Sequence, residues 1–193
     1  MAIAPLEKAR MNISNQFRDQ VIAAIPGLRA FGLSLTARSD RADDLVQETL
    51  MKAWKHHDSF EPGSNMKAWL YTILRNEFYT QLRKRKREVE DVDEFYSSRV
   101  AVQGEQEGHL DMADLRVALA KLPEDQREAL ILVGASGFSY EEAAEICGVA
   151  VGTIKSRINR ARGKLAELLG IKGDDKFGPD AGTEAVINNP FRN

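Results

Sequence analysis

The stretch that decides the fold reads SYEEAAEICGVAVGTIKSR (residues 139–157). Ser139 and Glu142 have the spacing of a capping box, in which each side chain satisfies a backbone N–H at the start of a helix. One helix is therefore predicted over 140–147, ending at the glycine of Cys-Gly-Val, and a second over about 151–169. A short helix, a tight turn and a second helix form a helix-turn-helix, whose second helix enters the DNA major groove.

The second helix of this motif has an apolar face and a basic face. Its apolar residues recur at helical spacing at Ile154, Ile158, Ala161 and Leu165, while residues 150–166 contain five Lys or Arg and no acid. A solvated three-helix packing motif is the alternative, but such clean charge segregation favours DNA contact. The side chains expected to point outward and reach DNA are Thr153, Lys155, Ser156, Arg157, Arg160 and Arg162.

Composition limits the classes of protein. The chain has 193 residues and a net charge of −2, which argues against non-specific coating of nucleic acid and makes the local basic clusters more informative. The single cysteine, Cys147, is expected to be a buried small hydrophobe. We find no signal segment and no apolar run of membrane-spanning length, so a cytoplasmic protein is expected. His56-His57-Asp58 lacks the four ligands of a structural metal site, and no cofactor is expected.

Two helical stretches are predicted in the first half, one over about 17–38 with an interruption at Pro26-Gly27 and one over about 42–57. In the second of them Val46, Leu50 and Trp54 step by four residues, which predicts a core-facing stripe. The opposite face carries Asp43, Asp44, Gln47 and Glu48. By itself this acidic face indicates only a solvated surface.

A third helix, predicted over about 66–86, combines an apolar stripe with aromatic and basic residues. Its stripe is Leu70, Leu74, Phe78 and Leu82, and its other faces carry Lys67, Trp69, Tyr71, Arg75, Asn76, Tyr79 and the basic run that begins at Arg83. Rings that stack on bases and cations that hold phosphates suit single-stranded or melted nucleic acid. For Trp69 and Tyr71 a place in the core is the alternative, and for Trp69 taken alone it is the favoured interpretation. The five consecutive cations of 83–87 exceed what a helix end requires, so contact of this run with phosphates is favoured over a purely structural role.

The predicted fold class is all-α, with two small helical domains joined by a flexible acidic linker, the second domain containing the helix-turn-helix. The linker has nine acids and one Arg between positions 88 and 114. It has a relaxed length of roughly 27 Å and can extend to ~80 Å. The expected boundaries are a flexible N-terminus over 1–15, a first domain over 16–87, the linker over 88–111, a second domain over 112–171 and a flexible tail over 172–193.

Four segments in order resemble bacterial RNA polymerase sigma factors of the extracytoplasmic-function type. They are DDLVQETLMKAW (43–54), WLYTILRN (69–76), LPEDQREAL (122–130) and GTIKSR (152–157). The sequences of residues 25–31 and 150–157 are most similar to those of the general-stress-response subgroup of this family. One departure is that Ala150 and Val151 stand where the family often has a capping serine and an acid.

The resemblance implies a role for each surface. The first domain corresponds to sigma region 2 and would bind core polymerase through Asp43, Asp44, Gln47 and Glu48. The second corresponds to region 4 and would read the minus-thirty-five element through the outward residues of 153–162. An anti-sigma protein is an expected partner, and no membrane insertion is expected. Region 2 would recognise the minus-ten element through Phe60, Ser64, Asn65, Lys67, Trp69, Tyr71, Arg75, Asn76, Tyr79 and Arg83.

Two other classes of protein compete with this interpretation. A one-component transcriptional regulator would share the helix-turn-helix but would need a sensory first domain, which the aromatic and basic helix does not suggest. A nucleic-acid-processing enzyme would need clustered carboxylates or a metal set, and the sequence shows no such constellation. The sequence therefore favours a non-enzymatic sigma factor.

Overall fold

The computed structural model describes residues 5–90 and 110–170, and within these ranges it contains helices and no strand. Side chains of residues 5–14, 86, 88–90 and 110–113 lie outside the description, as do the tail over 172–193 and most of the predicted linker. The helices are α1 (Pro5–Thr36), α2 (Ser39–Lys55), a 3-10 turn (His57–Ser59), α3 (Met66–Glu90), α4 (Leu110–Ala120), α5 (Glu124–Gly134), α6 (Tyr140–Cys147) and α7 (Val151–Leu169). The all-α expectation is confirmed.

Helix α1 differs from its sequence prediction at two places. It begins at Pro5, within the stretch for which we expected no regular structure, and it runs through Pro26 instead of breaking there. Proline removes one backbone donor and normally kinks a helix. Here the residues that follow it, Leu28, Phe31 and Leu35, are buried against the neighbouring helices. Tertiary packing therefore holds the helix together across the proline.

The first three helices share an apolar core. The stripe predicted on α3 is buried at Leu70, Leu74 and Phe78, and Leu82 packs at its margin. On α2, Val46 is buried, but the prediction that Trp54 is a core residue is wrong, because 55% of it is exposed. Trp54 instead meets Phe17 of α1 edge-on, with ring centroids 6.0 Å apart.

The helix-turn-helix forms as its sequence predicts. Ser139 and Glu142 make the capping box, and Gly148 ends α6 with a φ of 65°, a left-handed conformation that suits glycine. All four apolar residues predicted on α7 are buried. Two of them, Ala161 and Leu165, pack with Ala118 and Leu122 and so attach α4 to the motif.

The two halves of the chain lie against each other. Buried apolar side chains of α1–α3 and of α5–α7 form one continuous cluster. Tyr71 of α3 lies at the junction, stacked on Phe31 at 4.9 Å and edge-on to Phe138 of the α5–α6 turn, also at 4.9 Å. The expectation that Tyr71 faces outward is wrong, since it is 1% exposed.

The close approach of α1 to α3 at Gly27 gives a stability prediction. A Cβ atom at this position would lie 2.7 Å from the hydroxyl oxygen of Tyr71, whose ring packs against Phe31 and Phe138. Overpacking typically costs about 1–3 kcal/mol, whereas alanine improves helix propensity by about 1 kcal/mol. We expect Gly27→Ala to lower the free energy of unfolding, measured by urea denaturation.

The matched control is Gly163→Ala in α7, where an added Cβ would meet no atom within 4 Å. This change should raise the free energy of unfolding by about 0.4–1 kcal/mol. Equal stabilisation by both substitutions would show that the Tyr71 ring moves freely.

Candidate nucleic-acid interface

The loop between α2 and α3 borders an open cavity of about 620 Å³. Its lining combines rings with polar groups, including Phe17, Trp54, His57, Phe60 and Ser64. Phe60 also packs on Trp69 at 5.3 Å, and Phe17 stands edge-on to both. A cavity of this size, walled by aromatic rings, can receive a planar base, because unstacked bases bind between aromatic side chains.

Asn65 and Lys67 lie where this loop enters α3, and both reach the second half of the chain. Asn65 accepts a hydrogen bond from the backbone N–H of Ala68 and donates to the Oε1 of Glu142 at 2.7 Å. The Nζ of Lys67 donates to the carbonyl of Ser136 and lies 4.7 Å from the centre of the Phe138 ring.

About two turns further along α3, two residues predicted to bind DNA surround a buried carboxylate. Arg75 donates to Glu128 of α5 at 2.7 Å, and the Tyr79 hydroxyl donates to the other carboxylate oxygen at 3.3 Å. The guanidinium also lies 4.7 Å from the Tyr79 ring centre. The Glu128 side chain is fully buried.

The burial of this cluster shifts the pKa of several groups. Loss of solvent raises the pKa of Glu128, and the nearby Arg75 opposes that shift. Burial also raises the pKa of Tyr79, and the negative charge of Glu128 adds to it. Burial and the charge of Glu128 also raise the pKa of Cys147 to about 12, so its thiol stays protonated. The predicted burial of Cys147 is confirmed.

The remaining predicted residues of α3 are exposed or lie in the aromatic cluster. Asn76 and Arg83 are exposed, and Arg83 leads the basic run at the end of the described side chains. Trp69 is half-buried in the aromatic cluster, so its ring lies beside the cavity instead of standing in solvent. Ser64 donates to the carbonyl of Glu61 within the loop.

On α7 the predicted DNA-reading residues divide into two groups. Lys155 and Arg160 are exposed, whereas Thr153, Ser156 and Arg162 are half-buried. The expectation that Arg157 points outward is wrong. Its side chain is 17% exposed, and its Nε lies 3.1 Å from a carboxylate oxygen of Asp125 in α5. Arg157 therefore ties α7 to α5, and its proposed contact with a base is the one least supported by geometry.

The acidic face of α2 is solvent-exposed, with one exception. Asp44 and Gln47 are exposed and Glu48 is half-buried. Asp43 makes a two-pronged ion pair with Arg29 of α1, at 2.6 and 3.2 Å, which holds the pKa of its carboxyl below the usual value. Three of the four acidic or amide residues are thus available to a partner, and Asp43 serves the α1–α2 contact.

Sequence reasoning missed the residues of the second half that face α3. Glu128, Phe138 and Glu142 touch Arg75, Tyr71 and Asn65, which are 53 to 77 positions away in the chain. Periodicity marks a buried face but not the partner that buries it. Among the described residues no cluster of three or more His, Cys, Asp or Glu could hold a metal, and no described helix is long and apolar enough to cross a bilayer.

The fold and the two cation-bearing surfaces define a two-part helical DNA-binding protein. The sigma-70 region 2 family matches residues 22–88, and the sigma-70 region 4 family matches residues 112–165. The chain is 60% identical to the ECF RNA polymerase sigma factor EcfG of Rhodopseudomonas palustris, over 92% of this chain and 98% of that one. It is 34% identical to SigM of Bacillus subtilis, over 72% and 85% of the two chains.

A solved structure agrees with these sequence matches. The sigma factor RpoE of Bartonella quintana, crystallised with the anti-sigma factor NepR, is 58% identical, with a TM-score of 0.75 over 81% of this chain and 98% of that one. The chain belongs to the ECF sigma factors of RNA polymerase. It therefore directs core polymerase to promoters, which confirms the function expected from the four motifs.

The start of α7 generates a prediction about its missing cap. Ala150 occupies the N-cap position with φ −68° and ψ 147°, and no side chain caps the helix. A serine there would accept a hydrogen bond from the first turn, so Ala150→Ser should raise the free energy of unfolding by about 1 kcal/mol.

Ser139→Ala provides the opposite control, because its hydroxyl already accepts the backbone N–H of Glu142 at 3.0 Å. This change should lower the same free energy by about 1 kcal/mol. Suppose that Ala150→Ser did not raise the free energy of unfolding while Ser139→Ala lowered it. The first turn of α7 would then not lack a cap.

Proposed function

We propose that this sigma factor divides promoter recognition between its two halves. The region over 16–87 binds core polymerase and the minus-ten element, and the region over 112–171 reads the minus-thirty-five element. The observation that carries this division is the aromatic-walled cavity beside the basic helix α3, which is separate from the basic face of α7. Melted DNA needs stacking surfaces, whereas duplex DNA is read by a helix in the major groove.

In the minus-ten site, the cavity receives an unpaired base and α3 holds the backbone. Phe60 supplies a ring at the cavity wall with Trp69 packed against it, and Ser64 at the wall and Asn65 next to it supply hydrogen-bonding groups. The cations Lys67, Arg75 and Arg83 bind phosphates, with Asn76 and Tyr79 beside them. The experiment is binding of reconstituted holoenzyme to a fork-junction promoter, and Phe60→Ala should weaken it by about tenfold, the cost of about one stacked base.

The same family membership supports the wider role. The chain acts in the cytoplasm with core polymerase and promoter DNA, as a non-enzymatic factor of the general stress response, the subgroup that its motifs resemble. An anti-sigma protein of the NepR kind is its negative regulator, since a 58% identical sigma factor was crystallised with one. Copurification from unstressed cells should recover that small protein. Recovery of core polymerase alone under every condition would contradict this part of the proposal.

The acidic face of α2 gives a test of polymerase docking. Reversing two charges, Asp44→Lys with Glu48→Lys, should weaken binding to core polymerase by about tenfold, because like charges would then face the partner. The measurement is competition for core polymerase with the wild-type chain. Asp19→Lys, on an exposed part of α1, reverses one charge outside this face; it should leave affinity unchanged, and each single reversal on α2 is compared with it.

The contrast between Arg157 and Lys155 gives a test on α7. Lys155→Ala should lower affinity for a minus-thirty-five duplex while changing the free energy of unfolding by less than about 0.5 kcal/mol. Arg157→Ala should lower that free energy by about 1–2 kcal/mol, because it removes a mostly buried side chain that pairs with Asp125. If the Arg157→Ala protein were as stable as wild type but no longer discriminated between minus-thirty-five sequences, Arg157 would be a base-contacting residue after all.

A further inference from the structure

The surface of α3 proposed to bind the minus-ten element is covered by the second half of the same chain. Glu142 accepts a hydrogen bond from Asn65, the Ser136 carbonyl accepts one from Lys67, and Glu128 holds Arg75. DNA and the α5–α6 region therefore compete for the same donors. The docking face of α2 is not covered, because Asp44 and Gln47 remain exposed.

The carboxylate of Glu128 has the chemistry of the group it would displace. An arginine fork binds carboxylate and phosphate oxygens with the same geometry and charge. Glu128 also accepts from the Tyr79 hydroxyl at 3.3 Å, so Arg75 and Tyr79 together form one compact anion site on α3. A DNA phosphate at this position would need the carboxylate to leave first.

We propose that Glu128 acts as an intramolecular substitute for a promoter phosphate and that the closed arrangement of the two halves is autoinhibitory. This inference rests on the proposed minus-ten role of α3. Polymerase can dock on α2 of the closed chain, and region 2 then gains its DNA-binding surface when α5 and α6 separate from α3. Free sigma factor is thereby kept from occupying melted DNA without polymerase.

The contacts across the junction suit a reversible closure. A buried ion pair adds little net stability, because desolvation of both charges offsets their attraction. If a phosphate takes the place of the Glu128 carboxylate, Arg75 and Tyr79 still have an anion as their partner. The apolar part of the junction between α3 and the α5–α6 turn includes the edge-on contact of Phe138 with Tyr71. DNA can thus replace the charged part of the junction, and opening also requires the apolar contacts to separate.

Two variants in the second half test the inference without touching any proposed DNA contact. Glu128→Gln removes the competing charge, and Phe138→Ala removes the apolar contact with Tyr71. Glu145→Gln is the matched control, because it makes the same charge change at an exposed position of α6. Each full-length protein is titrated into a fluorescein-labelled single strand of about 12 nucleotides and mixed sequence, read by anisotropy. Its radius of gyration is measured by small-angle scattering.

Both variants are expected to bind the strand about tenfold more tightly than wild type, because apparent affinity rises with the open fraction, and both should have a larger radius of gyration. Glu145→Gln should match wild type in both measurements. Unchanged affinity and radius in both variants, with native helicity by circular dichroism, would overturn the inference. If Glu128→Gln lost helicity, Phe138→Ala alone would decide.

One outcome separates this inference from the function on which it rests. The two variants could show an increased radius of gyration while neither they nor the wild type bind the strand. This result would support Glu128 as a residue that holds the two halves together. It would at the same time reject α3 as the minus-ten surface. Tighter strand binding without an increased radius would reject the closed arrangement as its cause.

Discussion

The rest of the structure depends on the packing around the ring of Tyr71. This side chain is 1% exposed, stacks on Phe31 of α1 and meets Phe138 from the second half. Gly27 leaves the space that its hydroxyl occupies. Because protein interiors are close-packed, such a ring fixes the distance between α1 and α3 and the position of the α5–α6 turn. The basic and aromatic side chains of α3 are held in place as a consequence.

The charged pair Arg75–Glu128 at the same junction contributes selectivity more than stability. Apolar packing alone would stabilise the closed arrangement at least as well as the Arg75–Glu128 pair, since a buried pair loses its hydration. A charged pair adds selectivity, because only another anion can take the place of the carboxylate. The closed arrangement is therefore tied to the ligand that the sigma factor must bind.

The charge distribution of the chain explains how one small protein serves several partners. Its net charge of −2 conceals an acidic face on α2, a basic end on α3 and basic residues on α7. Surfaces of opposite sign attract different partners and do so over a distance of about a Debye length. In the division of roles that we propose, polymerase docking and the two DNA contacts use separate parts of the molecule.

The sequence by itself determined the helix-turn-helix and the helices other than the extent of α1, because a capping box, glycine turns and four-residue periodicity are local signals. Its four motifs also determined the family. It placed the stripes of α3 and α7 in the core, and all of these residues are buried except Leu82, which packs at the margin. Only the tertiary structure decided that Tyr71 is buried, that Trp54 is exposed and that Arg157 pairs with Asp125. It also brought Glu128 to Arg75 across 53 positions. Periodicity shows that a face is covered, but the partner that covers it depends on contacts between distant segments, which a single sequence does not encode locally.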